Sequence, residues 1–210
     1  KKCLEAMNGA RSRTLAEAMQ KNETAPARCV AMVLETRPDW VNEKEIKRMR
    51  SLGATRVELG AQSLFDDVLD MVKRGHRVDA TKHATKLLKD AGFKISYHMM
   101  PNLPGSTVER DIEMFRMCFD DPEYRPDMMK VYPCMVVPFS ELKLWYEKGR
   151  HTPYTDEELL RIIKTIKPFF PRYLRVSRLI RDIPATSIVG GSKVSNLRQV
   201  AQQQMEKEGI

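Results

Sequence analysis

The sequence predicts an α/β protein built around a parallel β-sheet. Short apolar segments rich in β-branched residues alternate with segments whose apolar residues recur at helical spacing. Strand, helix and strand follow one another at intervals of roughly 30 residues, the length of a βαβ unit. Helix-start residues, glycines and prolines separate most of these segments. The pattern leaves open whether the sheet is an open one or curls into a barrel.

Each predicted strand is a compact apolar run, and most end at a residue unsuited to a sheet interior. Pro38 follows the first strand, Pro101 the third and Pro133 the fourth, and proline has no N–H to donate to a strand ladder. Gly60 ends the second strand. The predicted strands, in chain order, are residues 28–36, 55–60, 94–100, 129–132 and 174–180.

Most predicted helices start at a side chain that accepts a hydrogen bond from the free backbone N–H groups of the first turn. Thr14 and Ser106 each begin a capping-box pattern, and Asp79 is a further predicted cap. Gly53 and Gly92 end two of the helices. The predicted helices are one that opens after Thr14 and then residues 42–52, 66–73, 79–91, 106–119, 141–148, 155–169 and 195–208.

The charge of the chain is concentrated in one segment. The chain carries 36 Lys and Arg against 28 Asp and Glu, a formal net charge of +8, and residues 161–198 hold nine basic residues and one acidic residue. A basic segment dominated by arginine suits a polyanionic partner such as nucleic acid. A solvated basic surface, or contact with an acidic neighbouring domain, explains the same charge. The composition, 42% hydrophobic and 30% charged, excludes disorder of the whole chain.

The four cysteines, Cys3, Cys29, Cys118 and Cys134, form no CxxC pair. Their spacing supports neither a zinc site nor an iron–sulfur site built from this chain alone, so no metal ligand is predicted. Reduced, mostly buried thiols are expected. No apolar run reaches the ~20 residues of a membrane helix, and the first residues lack the apolar part of a signal peptide. The sequence therefore predicts a cytoplasmic protein without a membrane segment.

Polar residues collect where the predicted strands end, and in a parallel sheet those ends meet at one edge. The set suits a zwitterionic ligand that bears a nucleoside: a carboxylate for an ammonium, a guanidinium for a carboxylate, and neutral groups for ribose hydroxyls. S-adenosylmethionine has all three parts, and other ligands fit as well. Each residue alone also has a structural explanation, such as pairing of Glu35 with Arg37. The collected residues are Glu35, Glu58, Gln62, Ser63, Arg74, His98, Lys130 and Tyr132.

Six strings of residues resemble one known family. The strings are ETRPD at 35–39, GATRVELGAQS at 53–63, RGH at 74–76, HMMPNLPG at 98–105, KVYP at 130–133 and RDIP at 181–184. In this order they closely resemble the family of the catalytic subunit of the Elongator complex, in its single-subunit prokaryotic form. The similarity runs over essentially the whole chain, which resembles the central and C-terminal part of the radical S-adenosylmethionine (SAM) domain of that family.

The resemblance implies an enzyme that installs a carboxymethyl-type group on C5 of the wobble uridine of tRNA. It implies a partial (β/α)6 TIM-like radical SAM barrel over residues 1–150 and a basic C-terminal extension over residues 151–210. S-adenosylmethionine and a [4Fe–4S] cluster are the implied cofactors, and acetyl-CoA is the implied co-substrate. The implied partners are tRNA and an acetyltransferase domain of the same full-length protein, and a homodimer is left open.

The resemblance also implies roles for individual residues. Lys130 and Tyr132 are assigned to the uridine as catalytic residues, from strand position alone. The residues implied to contact S-adenosylmethionine are Glu35, Gln62, Arg74 and His98, and Ser63 is added to them from its position at the end of the second strand. The residues implied to contact RNA are Arg172, Arg175, Arg178, Arg181, Lys193 and Arg198.

The chain departs from the family pattern in three places. The cysteine motif that holds the cluster and the glycine-rich motif for the methionine amino group find no match. The cluster-binding part, a zinc-binding linker and the acetyltransferase domain are therefore expected outside this chain, which alone is expected to be inactive. An RNA-binding or interaction scaffold without catalysis stays open as an alternative. A conventional α/β enzyme that uses Glu35 and His98 as acid and base stays open too.

Overall fold

The computed structural model describes residues 1–180, 183–194 and 196–209, and its centre is a five-stranded parallel sheet. The strands lie side by side in chain order, and every neighbouring pair is parallel. Parallel neighbours require a crossover, and each connection here contains at least one helix. The strands are β1 Val33–Thr36, β2 Arg56–Gln62, β3 Lys94–Met99, β4 Met128–Val131 and β5 Arg175–Leu179.

The helices occupy the crossovers and the two ends of the described chain. Short 3-10 turns follow β1 and α8 and precede α9. Among the described residues no helix combines the length and the apolar character needed to cross a membrane. The helices are α1 Lys2–Asn8, α2 Leu15–Asn22, α3 Glu43–Ser51, α4 Asp66–Met71, α5 Val78–Asp90, α6 Val108–Asp120, α7 Glu141–Glu147, α8 Asp156–Ile166 and α9 Leu197–Glu208.

The two faces of the sheet differ in character, because successive side chains of a strand point to opposite sides. Leu59, Tyr97 and Met129 are fully buried on one side, where they form the main core with residues of α3, α5, α6 and α8. Glu58 and His98 alternate with these residues and therefore point to the other side. Helices thus cover one face of the sheet, and the opposite face is the polar inner surface of a partial TIM-like barrel.

Several helices start where a local side chain satisfies the free N–H groups of the first turn. The Thr155 side chain accepts a hydrogen bond from Glu158 N at 3.2 Å, and the Glu158 carboxylate accepts one from Thr155 N at 2.8 Å. This reciprocal pair is a capping box, and it fixes the start of α8. Thr14 and Asn42 cap α2 and α3 at the predicted positions.

Several element boundaries differ from the sequence prediction. β2 runs past Gly60 to Gln62, and Thr107, not Ser106, caps α6. β1 begins later than predicted, because Asn22 Oδ1 accepts a hydrogen bond from Cys29 N at 2.7 Å and holds the preceding segment in a loop. α5 begins at Val78, whose N–H donates to Asp66 at 2.8 Å, so Asp79 is not the cap. The sequence prediction also missed one whole helix, α1.

The predicted division after residue 150 stays a prediction. β5 and α8 lie beyond that point, and both extend the structure that precedes it. β5 pairs with β4, and Ile162 and Ile166 of α8 belong to the main core. A smaller core forms where Leu159 of α8 packs against Leu197 and Ala201 of α9. The segment after residue 150 therefore continues the same sheet and its helical cover.

Candidate functional site

A row of charged side chains crosses the polar face of the sheet toward the carboxyl ends of the strands. Glu35 of β1 is the register partner of Glu58 of β2. His98 of β3 is the register partner of Lys130 of β4, and Lys130 is also the partner of Arg178 of β5. Side chains in register on parallel strands lie on the same face. The row therefore runs from carboxylates on β1 and β2 to cations on β4 and β5.

Glu58 lies at the centre of this row. Its Oε2 accepts a hydrogen bond from His98 Nε2 at 2.8 Å and another from Lys130 Nζ, and Arg56 Nη2 lies 3.8 Å from its Oε1. The Glu58 side chain is only 7% exposed, and a carboxylate this buried has to be paired. Burial acts to raise the pKa of Glu58. The hydrogen bonds from Lys130 and His98 outweigh that effect, so the pKa lies below the ordinary 4.5.

His98 lies between two carboxylates. Its Nε2 faces Glu58, and its Nδ1 lies 3.3 Å from Oε1 of Glu35. The His98 ring also meets the Tyr132 ring edge-on, with centroids 5.6 Å apart and planes at 87°. The Glu35 side chain is 63% exposed, whereas that of His98 is 8% exposed. Glu35 is therefore accessible to a ligand, while His98 is fixed in the wall of the barrel.

Gly60 leaves space for the side chains of Arg74 and Gln62. A Cβ at Gly60 would collide with Nη2 of Arg74 and would approach Nε2 of Gln62 to 3.0 Å. Arg74 Nη2 instead donates a hydrogen bond to the Gly60 carbonyl at 2.9 Å. Gln62 has a φ of 68° at the irregularity where β2 ends. Because Gly60 follows Glu58 by two positions on β2, this pair lies beside the charged row.

Two polar atoms at this position are buried without a protein partner, Oε1 of Gln62 and Nε of Arg74. Buried donors and acceptors are nearly always paired, so these two atoms are positions at which an ordered water or a bound ligand can supply a donor and an acceptor. Burial, followed by the like charge of Arg37, lowers the pKa of Arg74, and the charge of Glu35 acts in the opposite direction. An anionic group bound to Arg74 would offset both unfavourable effects.

The structure brings most of the predicted cofactor residues together. Glu35 and His98 are in contact, and the pair of side chains over Gly60 lies beside them. Ser63 is buried in the turn into α4, where its Oγ accepts a hydrogen bond from Phe65 N at 3.3 Å. The convergence of these residues at one edge follows the strand-end rule on which the prediction was based.

Lys130 and Tyr132, the residues predicted to face the uridine, join the same network. Lys130 binds Glu58, and Tyr132 packs on His98. The sequence prediction gave Glu58 no role of its own and did not single out Arg56. The signal was present, because a glutamate in the middle of a buried strand has to find a charged partner.

The residues predicted to contact RNA divide between the two sides of β5. Arg178 stands in the charged row, and Arg175 lies on the same polar face. Arg198 lines an apolar cavity of about 140 Å³ on the other side of β5, between α8 and α9. Arg181 lies outside the described residues. The two remaining residues are exposed outside the helices and strands: Arg172 and Lys193.

The ligand-type atoms of Glu35, Glu58 and His98 lie within 4.8 Å of one another, a spacing that would suit a metal ion. The same Glu58 oxygen already accepts hydrogen bonds from His98 and from the Lys130 ammonium. The ammonium therefore takes the place that a cation would fill. The grouping is explained by hydrogen bonds among side chains, and we propose no metal site in this row.

Comparison with known proteins identifies the family. The sequence profile of the radical SAM superfamily matches residues 14–118, half of the chain. The chain belongs to the radical SAM superfamily. The profile of the radical SAM C-terminal domain follows at residues 126–207. The parallel sheet and its polar inner face are therefore part of a radical SAM barrel, and the predicted fold class is confirmed.

Named relatives match the whole chain. The chain is 51% identical to the tRNA uridine(34) acetyltransferase of Methanocaldococcus jannaschii, over 100% of this chain and 39% of that protein. It is 37% identical to Elongator complex protein 3 of Homo sapiens, over 98% of this chain and 38% of that protein. The solved structure of Methanocaldococcus infernus Elp3 with an N-terminal deletion matches with a TM-score of 0.95 at 50% identity, over 99% of this chain and 49% of that one. The resemblance is confirmed, and the chain spans less than half the length of each relative.

Membership of the superfamily implies S-adenosylmethionine and a [4Fe–4S] cluster as cofactors. The unpartnered atoms of Gln62 and Arg74, with the exposed carboxylate of Glu35, fit S-adenosylmethionine. Cys118 and Cys134 do not fit the cluster, because cluster ligands are thiolates and burial raises the pKa of both thiols, to about 12 for Cys134. Among the described side chains, the group of potential metal ligands that lies close together contains no cysteine.

Proposed function

We propose that this chain is the S-adenosylmethionine-binding part of an enzyme that modifies the wobble uridine of tRNA. The observation that carries the proposal is the convergence of Glu35, His98, Gln62 and Arg74 on the inner face of a radical SAM barrel. The relatives named tRNA uridine(34) acetyltransferase support the substrate class. When bound, the cluster and S-adenosylmethionine supply radical chemistry, and the residues of this chain bind and orient the reactants.

Each side chain suits one part of S-adenosylmethionine. The exposed carboxylate of Glu35 suits the ammonium of the ligand, and the guanidinium of Arg74 suits the ligand carboxylate. The Gln62 amide, and the His98 ring nitrogen that faces the exposed Glu35, offer hydrogen-bonding groups for the ribose hydroxyls. Ser63, next to Gln62, stays a predicted contact. Opposite charges at the two ends of the amino-acid part would fix the direction in which the ligand binds.

We assign Lys130 and Tyr132 to the uridine side of the site, because both contact the network from β4 and the segment after it. The proposed reaction adds a carboxymethyl-type group to C5 of the uridine. Acetyl-CoA is the proposed carbon source, bound mainly by an acetyltransferase domain of the full-length protein. We expect the 210 residues alone to be inactive. The cytoplasm is the proposed location, and a homodimer stays a prediction.

Isothermal titration of S-adenosylmethionine into the full-length, cluster-reconstituted protein tests the assignment. Gln62→Ala and Arg74→Ala should each weaken binding by about tenfold or more, because each removes a hydrogen-bonding group that faces the ligand. Binding of tRNA should stay close to that of the wild type. Arg48→Ala on α3, where Arg48 is 70% exposed, is the matched control and should change neither affinity. Equal loss of both kinds of binding would show that these residues hold the fold instead.

A second candidate function is RNA binding without catalysis. The basic segment 161–198, with nine basic residues and one acidic residue, favours it. The two functions differ in how titrations respond to iron and sulfide reconstitution. Strong, salt-sensitive tRNA binding together with weak S-adenosylmethionine binding that reconstitution does not improve would favour the scaffold.

A further inference from the structure

We infer that Glu58 is a positioning residue that holds His98 and Lys130 at a fixed separation, and so joins the S-adenosylmethionine side of the site to the uridine side. The assignment of one side to S-adenosylmethionine and the other to uridine rests on the proposed function. The connection through Glu58 rests on observed contacts. Oε2 of Glu58 accepts hydrogen bonds from both residues, and the Glu58 side chain is 7% exposed. A shared, buried acceptor fixes the two donors relative to each other.

Glu58 and Glu35 both contact His98, but they differ in freedom. Glu35 lies on β1, is 63% exposed, and is 3.3 Å from His98 Nδ1. Glu58 lies on β2 within the sheet and is 2.8 Å from His98 Nε2. When Glu35 turns toward the ammonium of a ligand, His98 loses that contact and keeps the one with Glu58. Glu35 is therefore the exchangeable partner of the ring, and Glu58 is the permanent one.

The position of Lys130 depends on the same oxygen. Lys130 is 22% exposed and is the register neighbour of both His98 and Arg178, and its ammonium binds Glu58 Oε2. Arg56 faces the other Glu58 oxygen at 3.8 Å. Without the carboxylate, the imidazole and the ammonium on neighbouring strands would have no shared acceptor. The Lys130 side chain would then extend away from the inner face of the sheet, and the distance between His98 and Lys130 would no longer be fixed.

Ring NMR of His98 tests the first half of the inference. The sample is the full-length protein labelled with 15N-histidine, and the His98→Asn variant identifies the signal. We expect a His98 Nε2–H signal that exchanges slowly with water. Glu58→Gln should make this exchange about tenfold faster or more, because a neutral acceptor is weaker than a carboxylate. Glu35→Gln is the matched control, because it makes the same substitution in the other glutamate that contacts the His98 ring. It should alter the exchange rate of the ring proton by less than about twofold.

Chemical labelling tests the second half. An amine-reactive reagent followed by mass spectrometry measures how fast Lys130 reacts in the full-length protein. Glu58→Gln should speed labelling of Lys130 several-fold because its ammonium is released, whereas Glu35→Gln should not. An unchanged His98 exchange rate and an unchanged Lys130 rate in Glu58→Gln would overturn the inference, as would equal effects of the two glutamine variants.

A further variant covers the case in which Glu58→Gln does not fold. The double variant Glu58→Gln/Lys130→Gln removes both members of the buried ion pair and avoids an unpaired charge. It should show the same fast exchange of the His98 ring proton, and slow exchange in this variant would overturn the inference. Neither measurement uses enzyme activity or bound cofactor. Failure of this inference can therefore be distinguished from failure of the proposed function, because the titrations with S-adenosylmethionine test the function separately.

Discussion

The carbonyl oxygen of Gly60 accepts a hydrogen bond of 2.9 Å from Nη2 of Arg74. The contact depends on the missing side chain of Gly60, because a Cβ there would occupy the position of the guanidinium. Arg74 is delivered by a turn in which Gly75 has a φ of 82°, a conformation that favours glycine. Arg37 packs against that glycine, with its Nη1 at 3.3 Å from where a Cβ would be. Two glycines thus set the position of the Arg74 guanidinium, the proposed anion-binding group of the candidate site.

Gly60→Ala should weaken binding of S-adenosylmethionine by about tenfold or more, because the new Cβ displaces Arg74 and Gln62. The protein should remain folded, since Gly60 is not among the glycines with positive φ. Titration calorimetry and thermal melting of the full-length protein measure the two effects. Gly9→Ala is the opposite control: its φ is 63° and nothing lies within 4 Å of its Cβ position. That variant should lose about 1 kcal/mol of stability and no affinity. Unchanged affinity in Gly60→Ala would contradict the assignment of Arg74.

The buried carboxylate of Asp111 holds the loop that follows β3. Its oxygens accept hydrogen bonds from Asn102 N at 2.7 Å, Ser106 Oγ at 2.6 Å and Tyr154 OH at 2.9 Å. Asp111→Ala should lower the free energy of unfolding by about 3 kcal/mol, because three donors lose their acceptor. Asp111→Asn should lose about 1 kcal/mol or less, since an amide can serve the same groups. Urea denaturation measures both, and equal losses would contradict this account.

The pH dependence of stability should also report on Asp111. Burial, only partly offset by the hydrogen bonds, raises the pKa of Asp111 above its ordinary 3.8. The folded protein therefore binds this proton more tightly than the unfolded chain does, and that contribution is lost as the pH rises through the folded pKa. As the pH increases from about 4, the wild type should lose stability relative to Asp111→Asn, which does not titrate. A difference that stays constant across a pH series of urea denaturations would refute the prediction.

Thiol labelling should separate the cysteines by burial. Cys3 is exposed, whereas Cys118 and Cys134 are buried and burial raises the pKa of both thiols, to about 12 for Cys134. Iodoacetamide should therefore modify Cys3 in the native protein and leave Cys118 and Cys134 unmodified, because the thiolate is the reactive form. Urea should expose all of them, and mass spectrometry identifies the sites. Native-state labelling of Cys134 at the rate of Cys3 would contradict the structure.

The sequence predicted correctly the element boundaries that are set by residues close together in the chain. The start of α8 followed from Thr155 and Glu158, which cap each other within one turn. The start of α5 could not be predicted in this way, because its first N–H, that of Val78, donates to Asp66 of another helix. The early part of the first predicted strand failed for a similar reason, since Asn22 binds Cys29 and holds that segment in a loop.

The candidate site shows the same distinction. Glu35 and His98 follow from the rule that polar residues at the ends of parallel strands converge. The role of Glu58 depends on His98 and Lys130, which lie 40 and 72 positions away in the chain. No local pattern contains those partners, and only the register of β2, β3 and β4 brings them together.

Arg175 and Arg178 carry the final prediction, since the structure places both on the inner polar face of β5 and Arg178 beside Lys130. Arg175→Glu/Arg178→Glu should weaken tRNA binding by the full-length protein about tenfold or more. The slope of log affinity against log salt should fall by about two, because each lost phosphate contact removes about one unit. Filter binding over a salt series measures both quantities.

Arg13→Glu/Arg28→Glu is the matched control for this pair. It makes the same change in net charge on exposed arginines that precede β1 in the chain. We expect this variant to keep the wild-type slope and to lose little affinity, since net charge alone acts through a weak, screened field. If the two double variants weakened binding equally and left equal slopes, the effect would be one of overall charge. The inner face of β5 would then not contact the phosphates of tRNA.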